Sequence, residues 1–433
     1  MAITITKRPH RQVPAHNEIE FEFSGSNVTS TSESYQVVVY VGNTIGPSTP
    51  TYTFNIDPHP TTLKGYFNLR QIAEKHVSNY YPFGLNGWQL ISGIEKFTVD
   101  INEVYGTPPT VHTGSTGNVV LAWNGSLNLT ERSIYEENDY VNNGTDQVVC
   151  LNNLDTATKI KTDQDAFVYF LQSPADFIYY VKFISYNSSG TALNSYIIYN
   201  PYTTLSPNNN YNTTNKYVGF NCGVTSMVQH FAAYPLQFTP VSSPVTSSSP
   251  LFVGTESYYT MTFYTALSMT PKTIRFDIDE TCAKYYNQPI YYLNRYGAYD
   301  WINMYGNHKK KTNVSRMSYN TLLSQFDGSY TDTTFTPNYI KSTPLGIQKK
   351  ILSSTYEKAH SLQSNYLTDF QILALEDLFT SAELFLNSGY QDYKKLVPTD
   401  TTYEFKSNKI DKLVNLQVNV NEGITERRQF TNE

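Results

Sequence analysis

The sequence predicts a mainly β, multi-domain protein, and three observations carry that expectation. Tyrosine is used unusually heavily, 37 residues against 3 Trp, while charged residues make up only 16% of the 433. Tyr and Thr suit pleated, half-buried surfaces, so this composition favours strands. Several segments also alternate apolar with polar residues at period two, as a strand with one wet face does. Finally, turn clusters recur, at Thr113-Gly114-Ser115-Thr116-Gly117, Asn187-Ser188-Ser189-Gly190 and Pro207-Asn208-Asn209-Asn210. Disorder goes with few aromatics and high net charge. Here aromatics reach 15% and the net charge is −6, so the chain is expected to fold.

Residues 1–106 are expected to form an immunoglobulin/fibronectin-like β-sandwich. Glu18-Ile19-Glu20-Phe21-Glu22-Phe23 alternates acid with apolar, and Tyr35-Gln36-Val37-Val38-Val39-Tyr40-Val41 reads as a more fully buried strand. Tyr52-Thr53-Phe54-Asn55-Ile56 follows the Gly46-Pro47 break, 68–75 reads as a short helix, and 97–105 returns to alternation. Residues 107–250 read as a loop-rich β domain with strand-like pieces at 148–151, 167–171, 178–183 and 196–199. It ends in a Ser/Pro-rich linker at 239–250. Residues 251–433 then form a β domain with strands at 258–265 and 273–279, an aromatic hairpin, a helical region over 353–387, and closing strands at 403–406 and 413–420. Within the helical region Thr368 and Gln371 fit a capping box. Phe370, Leu373, Ala374, Leu378 and Ala382 recur there at helical spacing.

The most distinctive stretch is 275–305. Ile290-Tyr291-Tyr292-Leu293 leads into a turn at Asn294-Arg295-Tyr296-Gly297, and Tyr299-Asp300-Trp301 leads out. Asn and Gly supply the positive φ that a tight turn requires. The expected product is an aromatic-coated hairpin for packing or subunit contact. Just upstream, Asp277, Asp279 and Glu280 make the best acidic cluster, with Asp277 and Asp279 on one strand face. Such a set would suit a hard cation or a glycosidase pair. The solvated end of a strand explains it more simply.

Other classes of function find little support. An isoelectric point near 5.8 offers no basic field, so no direct nucleic-acid readout is expected. The run His308-Lys309-Lys310-Lys311 reads as a solvated hairpin tip. Cys150, Cys222 and Cys282 are too dispersed for a zinc signature or a disulfide framework, and are expected to be reduced and buried. The N-terminus lacks the apolar core of a signal peptide, and no run approaches the roughly 18 apolar residues of a membrane helix. The chain is therefore expected to be made in a cytoplasm and to have no membrane partner. Nucleophile elbow, phosphate-loop and HExxH motifs are missing, so no enzyme, cofactor or metal is expected.

Three sets of residues carry a resemblance. The first is His16-Asn17-Glu18-Ile19-Glu20-Phe21 with Gly65-Tyr66-Phe67-Asn68-Leu69 and Ile101-Asn102-Glu103-Val104-Tyr105-Gly106. The second is Tyr291-Tyr292-Leu293-Asn294-Arg295-Tyr296-Gly297-Ala298-Tyr299-Asp300. The third is Leu367-Thr368-Asp369 through Leu378, Ser381 and Glu383, with the closing strands over 404–420. Together they resemble structural virion proteins of tailed bacteriophages that infect Bacteroidetes, the crAss-like group included. Ala298 stands where the recurrent hairpin of those proteins has a second Gly. None of these motifs is catalytic. The resemblance implies a part of the virion tail or neck, in the head–tail connector region, built as a ring and made in the host cytoplasm. Its implied partners are other copies of itself and neighbouring tail, portal or neck proteins. The alternative is a receptor- or glycan-binding tail protein with hydrolase activity at Asp277, Asp279 and Glu280. A fibre should show shaft repeats, and their absence from the sequence favours the ring.

Overall fold

A computed structural model of the chain describes residues 3–42, 51–78, 82, 84–144, 146–155, 157–173, 176–203, 217–241, 250–266, 269–279, 288–320, 349–367, 369–389, 392–399 and 414–427. Among the described residues the protein is mainly β, 54% strand and 11% helix. It forms two compact units, one of Met1–Cys282, Pro289–Ile302 and Asp369–Tyr393, the other of Ala283–Gln288, Asn303–Thr368 and Lys394–Glu433.

The first unit begins with a two-layer sandwich. One layer is the antiparallel sheet Ile3–Lys7, Glu20–Gly25, Gly65–Asn68. The other has five strands in the order Gln12–Pro14, Thr110–Trp123, Ile94–Tyr105, Ser34–Val41, Tyr52–Ile56. Alternation decides which side chains go inside. Phe21 and Phe23 are buried with Val37, Val39, Val99 and Ile101, whereas Glu20 and Glu22 turn outward to Lys7 and Lys64. The short helix Arg70–His76 adds Ile72 and Ala73 to this core. The sandwich runs past the expected boundary at 106, because Gly106 (φ +101°) sits in the turn joining Ile94–Tyr105 to Thr110–Trp123. A Gly-marked turn serves equally well inside a sheet and between domains.

Behind it lies a double layer with its own core. A four-stranded sheet runs Val141–Asn142, Phe167–Gln172, Tyr217–Asn221, Gly87–Leu90. A six-stranded sheet runs Ala157–Ile160, Lys272–Ile278, Tyr258–Thr265, Ile178–Tyr186, Ala192–Tyr199, Phe238–Pro240. Val168, Phe170, Val218 and Phe220 from the first share a core with Phe183, Ile198, Met261, Phe263 and Ile274 from the second. The other face of the four-stranded sheet, with Phe167, Tyr169, Leu171 and Tyr217, is buried as well. Two covered faces explain why Phe167–Gln172 reads Phe-Val-Tyr-Phe-Leu-Gln without alternation. The six-stranded sheet takes strands from both sides of residue 250, so a boundary there cuts through it. Of the expected linker, residues 242–249 lie outside the described residues.

Two other expectations change. The helical region over 353–387 is a helix only at Asp369–Thr380; Lys349–Leu367 and Leu384–Gly389 are strands. Ser353, Ser354, Thr355 and Tyr356 are weak helix formers, and pairing with Lys309–Asn320 takes them into a sheet. In the helix, Leu375 and Leu378 are buried. Thr368 of the proposed capping box lies outside the described residues. The run 148–151 is not a strand. The helix Val224–Ala233 went unanticipated, although Val224, Met227 and His230 mark its buried face at spacings of three. The strand expected at 403–406, Glu280 and Cys282 also fall outside the described residues. Cys222 is buried in the core and Cys150 half-buried, both as free thiols.

The second unit contains an antiparallel sheet in which Lys309–Asn320 pairs Lys349–Leu367, and Lys349–Leu367 pairs Val414–Glu422. Residues 396–398 extend it along 420–422, and Glu426–Arg427 adds a short pairing at Thr355 and Tyr356.

Candidate functional site

The aromatic hairpin, formed by Gln288–Leu293 and Tyr299–Met304, is fastened into the first unit by its turn. Asn294 is buried, and its Oδ1 accepts the N–H groups of Tyr296 (3.0 Å) and Ala298 (2.9 Å), closing an Asx-type turn. Its Nδ2 donates to the Leu151 carbonyl (2.9 Å) and to Asp300 Oδ2 (2.8 Å). Gly297 adopts φ +86°, and a Cβ there would stand 2.4 Å from the Asn124 carbonyl oxygen. Two further bonds close on the turn. Tyr217 of the four-stranded sheet donates to the Gly297 carbonyl (2.7 Å), and the Ser126 N–H to that of Arg295 (2.7 Å).

The rings continue the same plan. Tyr291 and Tyr299 enter the core formed by Phe167, Tyr169, Tyr217 and Trp123, while Trp301 is only partly buried. The Tyr291 hydroxyl donates to the Asp165 carbonyl (2.9 Å), Tyr299 to Glu383 (2.5 Å) and Tyr296 to Glu131 (2.7 Å). Fully burying a large apolar side chain contributes about 1.5–3 kcal/mol. Tyr291, Tyr292 and Tyr299 are each exposed by 3% or less, which leaves these rings no face to offer another subunit. Packing within the chain is their role, and subunit contact through them is set aside.

Asp300 is the electrostatic centre of the hairpin. It is 1% exposed and accepts N–H groups from Asn152 (2.9 Å), Asn153 (3.2 and 3.3 Å) and Asn294 (2.8 Å). Burial pushes its carboxyl up to about 7, against the opposing pull of these donors. Asn152 extends the network by accepting the Tyr169 N–H (2.8 Å). Arg295 ties the turn to the helix Asp369–Thr380, with Nε 2.6 Å from Asp377, Nη2 3.2 Å from Glu376 and Nη1 3.9 Å from Glu131. A cleft of about 510 Å³ opens beside it, lined by His16, Asn124, Asn294, Arg295, Asp377 and Glu383 among others. Its guanidinium is matched by carboxylates of the same chain, so the arrangement is a brace.

The acidic cluster is not assembled into a catalytic pair by what is described. Asp277 accepts Arg275 Nε at 2.6 Å, and that guanidinium lies 3.8 Å over the Tyr258 ring. The Asp279 N–H donates to the Ile160 carbonyl (2.9 Å), and Glu280 lies outside the described residues. Among the described residues no three His, Cys, Asp or Glu side chains gather as a metal site. No described helix is long and apolar enough to cross a membrane.

Sequence reasoning passed over a feature of the second unit. Lys309–Asn320 and the first part of Lys349–Leu367 form a two-stranded ribbon about 40 Å long. Lys309–Asn320 is the last strand of its sheet, so its outer edge has no partner among the described residues. Lys349–Leu367 gains a second neighbour only from Thr355 onward, so over 349–354 its outer edge also has no partner among the described residues. Val314, Met317, Tyr319, Ile351 and Leu352 are exposed here, from 44% for Val314 to 62% for Met317. Val314 faces one side, while Met317 and Tyr319 face the other. The run at 308–311, expected as a hairpin tip, instead leads into the ribbon strand, and its root is a partly buried chain of contacts. His308 Nε2 lies 2.9 Å from His360 Nδ1, and His360 Nε2 lies 2.9 Å from Glu422 Oε1.

A scan against models of known protein families finds no match to this chain, and a search of curated protein sequences finds none.

Proposed function

We propose that this chain is a structural subunit of a tailed-bacteriophage virion, placed in the tail or neck at the head–tail connector region. It acts by protein–protein assembly, in a ring with other copies of itself and beside neighbouring tail, portal or neck proteins. The ribbon is the observation that carries this reading. Open strand edges and clustered exposed apolar side chains are a liability for a chain that works alone. They become useful when a partner covers them. Completing the burial of five half-exposed side chains is worth roughly 1 kcal/mol apiece, with backbone pairing in addition.

The resemblance of 291–300 to a phage virion hairpin supports the same reading. The groups with the most perturbed ionisation, Asp300 among them, tie the fold together instead of lining a reactive site. An adhesin or hydrolase centred on Asp277 is disfavoured because Arg275 already engages that carboxylate. Mass spectrometry of purified virions, with sedimentation of the isolated protein, tests the proposal. Peptides of the chain in virions and association in solution are the expected results. A strictly monomeric protein missing from virions would sink it.

A further inference from the structure

We infer that the ribbon is a donor arm whose acceptor is a second copy of this chain, bound head to tail. The inference rests on the assembly reading above and names its partner. Charge is the first argument. The two ribbon strands Lys309–Asn320 and Lys349–Leu367 carry seven Lys and Arg (Lys309, Lys310, Lys311, Arg316, Lys349, Lys350, Lys358) against the single Glu357, a net +6. The whole chain is −6, so everything outside the ribbon nets −12. Each copy therefore offers a basic arm and an acidic remainder, and two copies are complementary when arm meets remainder. Arm against arm sets +6 against +6, which disfavours an isologous contact through the ribbon. A heterologous contact is the kind that closes into rings.

The ribbon's chemistry also fits protein better than nucleic acid. A two-stranded ribbon fits the DNA major groove, and its lysines would contact phosphates. Val314, Met317, Tyr319, Ile351 and Leu352, however, occupy both faces of the arm, where phosphate contacts would need polar groups. Apolar side chains on both faces together with open edges match insertion against a protein surface with strand addition.

The test uses the full chain. Sedimentation velocity and native mass spectrometry compare wild type with Met317→Glu/Ile351→Glu and with Lys309→Glu/Lys311→Glu, all at exposed positions, after circular dichroism shows each variant folded. Wild type is expected to self-associate. Each double variant should weaken association roughly tenfold or more, as expected for losing about 1.4 kcal/mol or more of contact. Wild-type association should also weaken between about 50 mM and about 500 mM NaCl, as screening shortens. A photo-crosslinker in place of Met317, in a mixture of isotope-labelled and unlabelled copies, should give intermolecular links outside the ribbon. Unchanged association in both variants, or links confined to ribbon against ribbon, overturns the inference. So does tight binding of a 30-base-pair duplex (about three helical turns) that both variants abolish while self-association persists. If the variants associate like wild type but the chain is found in virions, only this inference falls. If the chain is missing from virions while the arm still drives association, the virion assignment falls and the arm stands.

Discussion

Replacing Gly297 by Ala probes the hairpin turn most sharply, because two separable costs meet there. Gly297 has φ +86°, a backbone region that costs an L-residue about 1–2 kcal/mol. A Cβ would also stand 2.4 Å from the Asn124 carbonyl oxygen and 3.0 Å from its carbon, both backbone atoms with little freedom to yield. Overpacking of that kind costs about 1–3 kcal/mol. Lower entropy of the unfolded chain returns about 0.4–1 kcal/mol. The expected net loss is roughly 2–4 kcal/mol, and Gly297→Val should lose more. Gly117→Ala is the control: φ is +73° but nothing lies within 4 Å of the added Cβ, so it reports the backbone cost alone. Urea unfolding followed by tyrosine fluorescence reads both. If Gly297→Ala loses no more than Gly117→Ala, the turn is not clamped against Asn124 as described.

Asp300→Asn sets an amide NH2 against N–H donors and, above pH 7 where the carboxyl is ionised, should cost about 3–5 kcal/mol through a lost charge-assisted bond and an unsatisfied donor. The folded carboxyl, up at about 7, holds more protons than the unfolded one near 3.9. Its contribution to stability therefore falls as pH rises from about 4 to about 7, and the gap between wild type and variant should narrow across that window; a constant gap contradicts it. His230 runs the other way. Burial among Phe220, Tyr234 and Phe238 lowers it from about 6.5 to about 4, so stability is lost as pH falls through that range. His230→Leu should flatten this acid limb, and an unchanged pH profile would count against it. Asp277→Ala removes an exposed ion pair and should change stability by no more than about 1 kcal/mol. It should also leave saccharide and host binding intact, and a marked loss of either would revive the adhesin reading.

Where one face of a strand is wet and the other buried, the sequence announces it, as at Phe21 and Phe23 between Glu20 and Glu22. Phe167–Gln172 was readable as a strand, but not the reason for its continuous apolar run, since a second covering layer leaves no local mark. The hairpin residues Asn294, Gly297 and Asp300 stood out through turn chemistry. Their partners Asn152, Glu131, Asp377 and Tyr217 did not, because contacts across more than 75 positions carry no spacing signal. The ribbon was hidden for a different reason. With both faces exposed, neither strand needs period-two alternation, so His308-Lys309-Lys310-Lys311 looked like a solvated hairpin tip. Its partner strand was mistaken for part of a helix because Phe370, Leu373, Ala374 and Leu378 farther along do belong to one.

Electron cryomicroscopy of virus particles from the source of this sequence tests the proposed virion role most directly, since it gives location and symmetry together. The account predicts density for the chain as a ring in the tail or neck, with the ribbon of each copy (309–320 and 349–354) lying against its neighbour. Particles without the chain, or a ring in which the ribbon is solvent-exposed on all sides, would contradict it.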